Sequence, residues 1–87
     1  MKWVTEVLQL FPHRHPSDAL VGKRLRERRE AKGWTPSQLA IAIGVSERRI
    51  AKFEAGKESM DAARLFAAAR LLNCAVADFF QRDGAAV

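Results

Sequence analysis

One cysteine, Cys74, is all the chain offers for sulfur cross-linking, so no intrachain disulfide can staple it and a reducing cytosol suits it. No apolar run approaches the length needed to span a bilayer. The opening MKWVTEVLQLF is interrupted by Glu6 and lacks the small-residue cleavage site of a secretion signal. Five Gly and three Pro beside 48% hydrophobic residues exclude a disordered tail. No nucleophile–base set, metal quartet or glycine-rich phosphate loop can be assembled, which argues against an enzyme and against a bound cofactor. At 87 residues the chain makes one domain with a small core and no deep cleft. A cytoplasmic protein without a membrane segment is the expectation.

Positive charge is what the chain has in excess. The net charge is +5, and residues 22 to 57 hold ten Lys/Arg (Lys23, Arg24, Arg26, Arg28, Arg29, Lys32, Arg48, Arg49, Lys52, Lys57) against four acids (Glu27, Glu30, Glu47, Glu54). That segment carries +6 and the remainder −1. A basic excess gathered on one stretch is the footprint of a phosphate-binding surface.

Within that stretch, TPSQLAIAIGVSERRIAKFEAG (35–56) reads as two short helices and a tight turn. Thr35 is a good N-cap, and Pro36 fits the first helical position because its missing N–H is not needed there. Leu39, Ala40 and Ile43 share a face, and Gly44 supplies the φ > 0 stop. Ser46 caps a second helix that runs to about Ala55 and is closed by Gly56. Helix, short glycine-containing turn and helix make the helix-turn-helix pattern. On the second helix, Ile50, Phe53 and Glu54 fall on one side. Glu47, Arg48, Ala51, Lys52 and Ala55 fall on the other, a face of cations and methyl groups slim enough for a major groove. An ordinary solvated helix face is the competing interpretation.

The stretch from Val21 to Phe80 resembles the Cro/repressor-type (XRE) helix-turn-helix family, over about sixty of the 87 residues. The resemblance is carried by GKRLRERREAKGW, TPSQLA, GVSERRIAKFEAGK, ARLLN and AVADFF. VGKRLRERR, AARL and DFF at these distances also resemble small transcriptional regulators common in alphaproteobacteria. The family implies an all-α, five-helix, lambda-repressor-like domain that binds double-stranded DNA.

Taken in order, residues 1–16 are an N-terminal extension, 17–82 the helix-turn-helix domain and 83–87 a frayed tail. Trp3, Val4, Val7, Leu8 and Phe11 form a stripe that favours a short amphipathic helix, with a dimer-pairing strand as the rival. PHRHP (12–16) is a connector. His13 and His15 invite a metal site with Cys74, but no further ligands have suitable spacing, so no metal is expected. Helix one is expected from Ser17 or Asp18 to Lys32, burying Leu20, Val21, Leu25 and the stem of Arg28 or Arg29. Trp34 is expected to plug the core rather than stack on DNA. Helix four is expected from Ser59 or Met60 to Asn73, with Ala62, Leu65, Ala69 and Leu72 inward and Phe66 at their edge. A fifth helix spans about Val76 to Gln81. Of its adjacent aromatics, Phe80 is expected to face outward, available to a partner. Ile41, on the outer side of helix two, is a second such residue, and Trp3, Val7 and Phe11 would join them in a dimer or partner contact.

Glu54 lies on the buried side of its helix and needs a partner, because an unpaired buried carboxylate is costly. The resemblance implies that the partner is Arg29, in an ion pair joining helix one to the recognition helix. It also maps base contacts onto Ser46, Glu47, Arg48 and Lys52. Chemistry agrees, since Arg48 and Lys52 can bond guanine, Glu47 can accept from cytosine N4 and Ala51 can touch a thymine methyl. Phosphate candidates are Thr35, Ser37, Gln38, Arg49 and Lys57. Two departures from the family matter. Pro36 stands where Gln is usual, and Glu47 where a neutral amide is common, so base preference does not transfer from a relative. The expected function is a sequence-specific regulator, acting as a homodimer on a near-palindromic operator. The alternative is an antitoxin-like or adaptor protein whose main partner is another protein.

Overall fold

Local capping chemistry sets the helix boundaries of this domain. The computed structural model describes residues 18–81. They form α1 (Asp18–Ala31), α2 (Pro36–Ile43), α3 (Glu47–Glu54), α4 (Ala62–Leu71) and a closing 3₁₀ helix (Val76–Phe80), with no strand among the described residues. At the start of α2, Gln38 N–H donates to Thr35 Oγ1 (3.1 Å) and Thr35 N–H to Gln38 Oε1 (2.8 Å), a reciprocal capping box. Ser46 Oγ accepts from Arg49 N–H (3.1 Å) at the start of α3. The four α-helices stop in the same way, on a residue of positive φ: Gly33, Gly44, Gly56 and Asn73. The following N–H then reaches back to a late helical carbonyl, Trp34 to Arg29, Val45 to Ala40, Lys57 to Lys52 and Cys74 to Ala69 (2.9–3.1 Å).

One core joins these elements. Leu25, Leu39, Ile50, Phe53 and Phe79 are fully enclosed, with Val21, Ala40, Leu65, Ala68, Ala69 and Leu72 around them. Burying each of the large side chains contributes about 1.5–3 kcal/mol. Helix α1 packs on α3 and on the 3₁₀ helix, and α2 packs on α3 and α4. The approach of α1 to α3 is close because Gly22 lies at the contact. A Cβ on Gly22 would stand 2.2 Å from the Phe53 carbonyl oxygen and 2.7 Å from that of Glu54.

Several expectations need correcting. The last element is 3₁₀ rather than a fifth α-helix. Only five residues separate Ala75 from Gln81, and Asp78 turns the chain tightly, its N–H donating to the Ala75 carbonyl and its Oδ2 accepting from Ala75 N–H (both 3.0 Å). Phe79 is enclosed there and Phe80 is turned outward. Helix α4 begins at Ala62, not at Ser59 or Met60, because Asp61 is its N-cap. Ser59 instead donates its hydroxyl to Asp18 Oδ2 (2.5 Å), tying the α3–α4 loop to the start of α1. That later start leaves Ala62 exposed and puts Ala68 in the core. Leu20 is half-buried, and Trp34, also half-buried, packs on the core with Lys32 Nζ 5.1 Å from its ring centroid. The N-terminal stripe of Trp3, Val7 and Phe11, the linker with His13 and His15, the alternative cap Ser17 and the tail from residue 83 lie outside the described residues.

Candidate nucleic-acid interface

Helix α3 owes its orientation to one ion pair on its inner side. Arg29, near the end of α1, donates from Nε to Glu54 Oε2 (2.6 Å) and from Nη2 to Glu54 Oε1 (3.0 Å), a two-pronged contact. Both side chains are about nine-tenths buried. Arg29 Nη1 also donates to the Trp34 carbonyl (2.8 Å), so one guanidinium joins α1, the turn before α2 and the end of α3. The hydrogen bond to Glu54 is the main reason the Arg29 pKa lies above its ordinary value. Burial acts the other way, and the charges of Glu54 and Glu30 reinforce the rise.

With Ile50 and Phe53 enclosed, the helical period forces Glu47, Arg48, Ala51, Lys52 and Ala55 outward, and all five are exposed. Arg48 and Lys52 are four residues apart, about 6 Å along the axis, so both can address neighbouring base pairs. Ser46 is exposed at the N-terminus of the helix, where Glu47 also suits the positive end of the dipole. Lys57 is exposed just past the C-terminal end.

Charge pairing separates the cations into two sets. Arg24, Arg26, Arg28, Arg29, Arg49 and Arg64 each lie within ion-pair distance of a carboxylate. Arg48, Lys52 and Lys57 have no such partner among the described residues, and neither have Arg70, out on α4, or Lys32, which lies over the Trp34 ring. Unpaired cations on an outward helix face are available to an anionic ligand.

The N-terminal end of α2 adds donors of another kind. Thr35, Ser37 and Gln38 are exposed, and the capping box fixes the first and last of them. It uses Thr35 Oγ1 and Gln38 Oε1 as acceptors, which leaves the Thr35 hydroxyl hydrogen and the Gln38 amide hydrogens for a phosphate oxygen. Arg49, at the edge of the outward face, has a partner that the sequence did not suggest. Its Nε (2.9 Å) and Nη2 (2.6 Å) both donate to Glu58 Oε2, and its guanidinium lies 5.1 Å from the Phe53 ring centroid. Sequence reasoning passed over Glu58 altogether, since the 49–58 spacing follows no helical period.

Away from this face, three large apolar side chains among the described residues are exposed: Ile41 (80%), Phe66 (62%) and Phe80 (46%). Phe66 is the addition, because the helical pattern of α4 placed it only at the core's edge. Among the described residues no group of three His, Cys, Asp or Glu side chains could hold a metal ion. Nor is any described helix long and apolar enough to cross a membrane.

Comparison with known proteins agrees with this arrangement. Residues 20–79 match a family model described as a helix-turn-helix domain. Over 66 residues the chain is 41% identical to an uncharacterized transcriptional regulator in the ATPase CF(0) region of Rhodospirillum rubrum, covering 76% of this chain and 61% of that one. An uncharacterized HTH-type transcriptional regulator of Sinorhizobium medicae is 34% identical over 67 residues, with 77% of this chain and 48% of that one covered. The chain thus spans about half to three-fifths of the length of these alphaproteobacterial relatives. In fold it is similar to the restriction-modification controller protein C.AhdI from Aeromonas hydrophila, at TM-score 0.69 and 26% identity, over 76% of this chain and all of that one.

Proposed function

Because the chain belongs to the helix-turn-helix domain family, we propose that it is a sequence-specific double-stranded DNA-binding transcriptional regulator that reads the major groove with α3. The observation that carries this reading is the outward face of α3, where Arg48 and Lys52 stand unpaired among small side chains. Arg48 bonds guanine O6 and N7, Lys52 reaches a second guanine, Glu47 accepts from cytosine N4 and Ala51 meets a thymine methyl. Ser46, whose oxygen caps the helix, keeps its hydroxyl hydrogen for a base or an adjacent phosphate. Thr35, Ser37, Gln38 and Lys57 grip the backbone and set the register. Arg49 is left out of this set because Glu58 occupies its guanidinium.

A homodimer would place two α3 helices about 34 Å apart on a near-palindromic operator. Such a protein works in the cytoplasm, at the nucleoid, and the role is not enzymatic. The exposed Ile41, Phe66 and Phe80 favour a second reading, in which binding another protein is the main task and DNA binding serves autoregulation.

Binding selections from random duplexes with two variants test the assignment of roles. Arg48→Ala is expected to retain DNA but to lose definition at one position of the enriched motif. Lys57→Ala is expected to enrich the wild-type motif with weaker retention throughout. Identical motifs and equal losses for both variants would contradict the division into base and phosphate contacts.

A further inference from the structure

We propose that Glu58 sets the sequence-independent part of this interface's affinity: by neutralising Arg49 at the rim of α3, it lowers affinity for duplex of any sequence and leaves the base contacts untouched. The proposal rests on the DNA-binding reading and adds a residue that the helix-turn-helix pattern does not mark.

Glu58 and Arg49 meet in a way that a structural role explains poorly. The two side chains are 31% and 38% exposed, and an ion pair so open to water contributes little to stability. The fold has other fastenings at the same place. Phe53 lies under the Arg49 guanidinium, Ser59 ties the loop to Asp18, and Arg29 holds the end of α3. What the contact does change is charge. Arg49 is three residues past the N-cap Ser46 and next to Arg48, on the edge of the helix that would lie along a phosphate strand. Its Nε and Nη2 are both aimed at Glu58 Oε2, so the pair shows a duplex no net charge. A free N–H of Arg49 can still touch a phosphate oxygen, but a neutral pair releases no counterion. Counterion release is what drives sequence-independent binding.

Arg48, Lys52 and Lys57 supply the cations the interface needs, and they are unpaired among the described residues. Adding Arg49 to them would raise binding to all sequences alike. With Glu58 in place, operator and random duplex are held less tightly by the same factor, and the discrimination between them stays with the base contacts.

The test is a salt titration of binding to a random-sequence duplex, using the wild type, Glu58→Gln, Arg49→Ala and the double variant. The glutamine side chain keeps an oxygen for Arg49 and removes the charge, and circular dichroism with a melting curve checks that each variant is folded. Glu58→Gln is expected to steepen the plot of log K against log salt by about 0.9 and to tighten random-duplex binding about fivefold at 0.15 M salt. Arg49→Ala alone leaves the Glu58 carboxylate uncompensated and is expected to weaken random-duplex binding, while the double variant, neutral like the wild-type pair, should return to the wild-type slope. A wild-type slope for Glu58→Gln would overturn the proposal, as would a double variant that binds random duplex as tightly as Glu58→Gln alone. Absence of salt-dependent duplex binding by the wild type would overturn the DNA reading and the proposal with it. Wild-type binding with an unresponsive Glu58 variant would overturn the proposal alone.

Discussion

Replacing Gly22 by alanine should destabilise the domain, although alanine is much the better helix former. Gly22 lies inside α1, where propensity alone would favour alanine by about 1 kcal/mol. The structure reverses that sign. The added Cβ would meet the Phe53 carbonyl oxygen at 2.2 Å, the Glu54 oxygen at 2.7 Å and the Glu54 carbonyl carbon at 2.9 Å. All three are backbone atoms at the end of α3, so no side chain can rotate away. Relief requires α1 and α3 to separate by roughly 1 Å, and overpacking of this kind costs about 1–3 kcal/mol. The upper end applies here because the same movement would stretch the Arg29–Glu54 contact, now 2.6 and 3.0 Å. Net of the propensity gain, about 2 kcal/mol should be lost, or a fall in Tm of about 8–16 °C for a domain of this size. Thermal unfolding followed by circular dichroism measures it directly. An unchanged or raised Tm would refute the reasoning, because it would mean that the helices do not approach as closely as described.

Other perturbations probe separate parts of the molecule. Glu54→Ala should cost about 3–5 kcal/mol, since it leaves the Arg29 guanidinium buried without its carboxylate. Denaturant unfolding would show this, and a loss below about 1 kcal/mol would mean that Arg29 finds a replacement partner. Thr35→Ala removes the side-chain acceptor from the start of α2 and should cost about 1 kcal/mol, read from the same titration. Burial pushes the Cys74 thiol pKa above its ordinary value, with Arg28 lowering it and Asp78 adding to the rise in smaller measure. Cys74 should therefore react with a disulfide reagent more slowly in the folded protein than in denaturant. Because the folded thiol keeps its proton to higher pH than the unfolded one, stability should also decline as pH rises past the unfolded thiol's value. Equal reaction rates in the folded and denatured protein would contradict the first expectation, and a flat stability profile across that range the second.

How far these features could be read from the chain depended on the reach of the forces behind them. Caps act within one helical turn, so Thr35, Ser46, Gly44 and Gly56 announced the ends of α2 and α3 from their own identities. The faces of α3 follow from its period. Phe79 and Phe80 could be told apart because two adjacent aromatics cannot both enter one small core. Where caps competed, the sequence was ambiguous. Ser59, Met60 and Asp61 all precede α4, and only the loop's path takes Ser59 to Asp18 and leaves Asp61 as the cap. Contacts between distant residues were harder still. The helical period shows that Glu54 faces inward and needs a partner, but Arg29 was named through the family resemblance rather than from spacing. Glu58 gave no signal, because its meeting with Arg49 depends on how the loop after Gly56 folds back along α3. Gly22 was likewise passed over, although a lone glycine within a helical pattern can mark a close backbone approach.

The central claim, that α3 reads DNA sequence, is tested most directly by a binding selection with the wild-type protein. Random duplexes would be offered at near-physiological salt and the retained molecules sequenced. An enriched inverted repeat is expected, its half-sites one helical turn apart and guanine among the favoured bases. Weak, unpatterned retention that disappears as salt is raised would contradict it, leaving only charge-driven contact with the phosphate backbone.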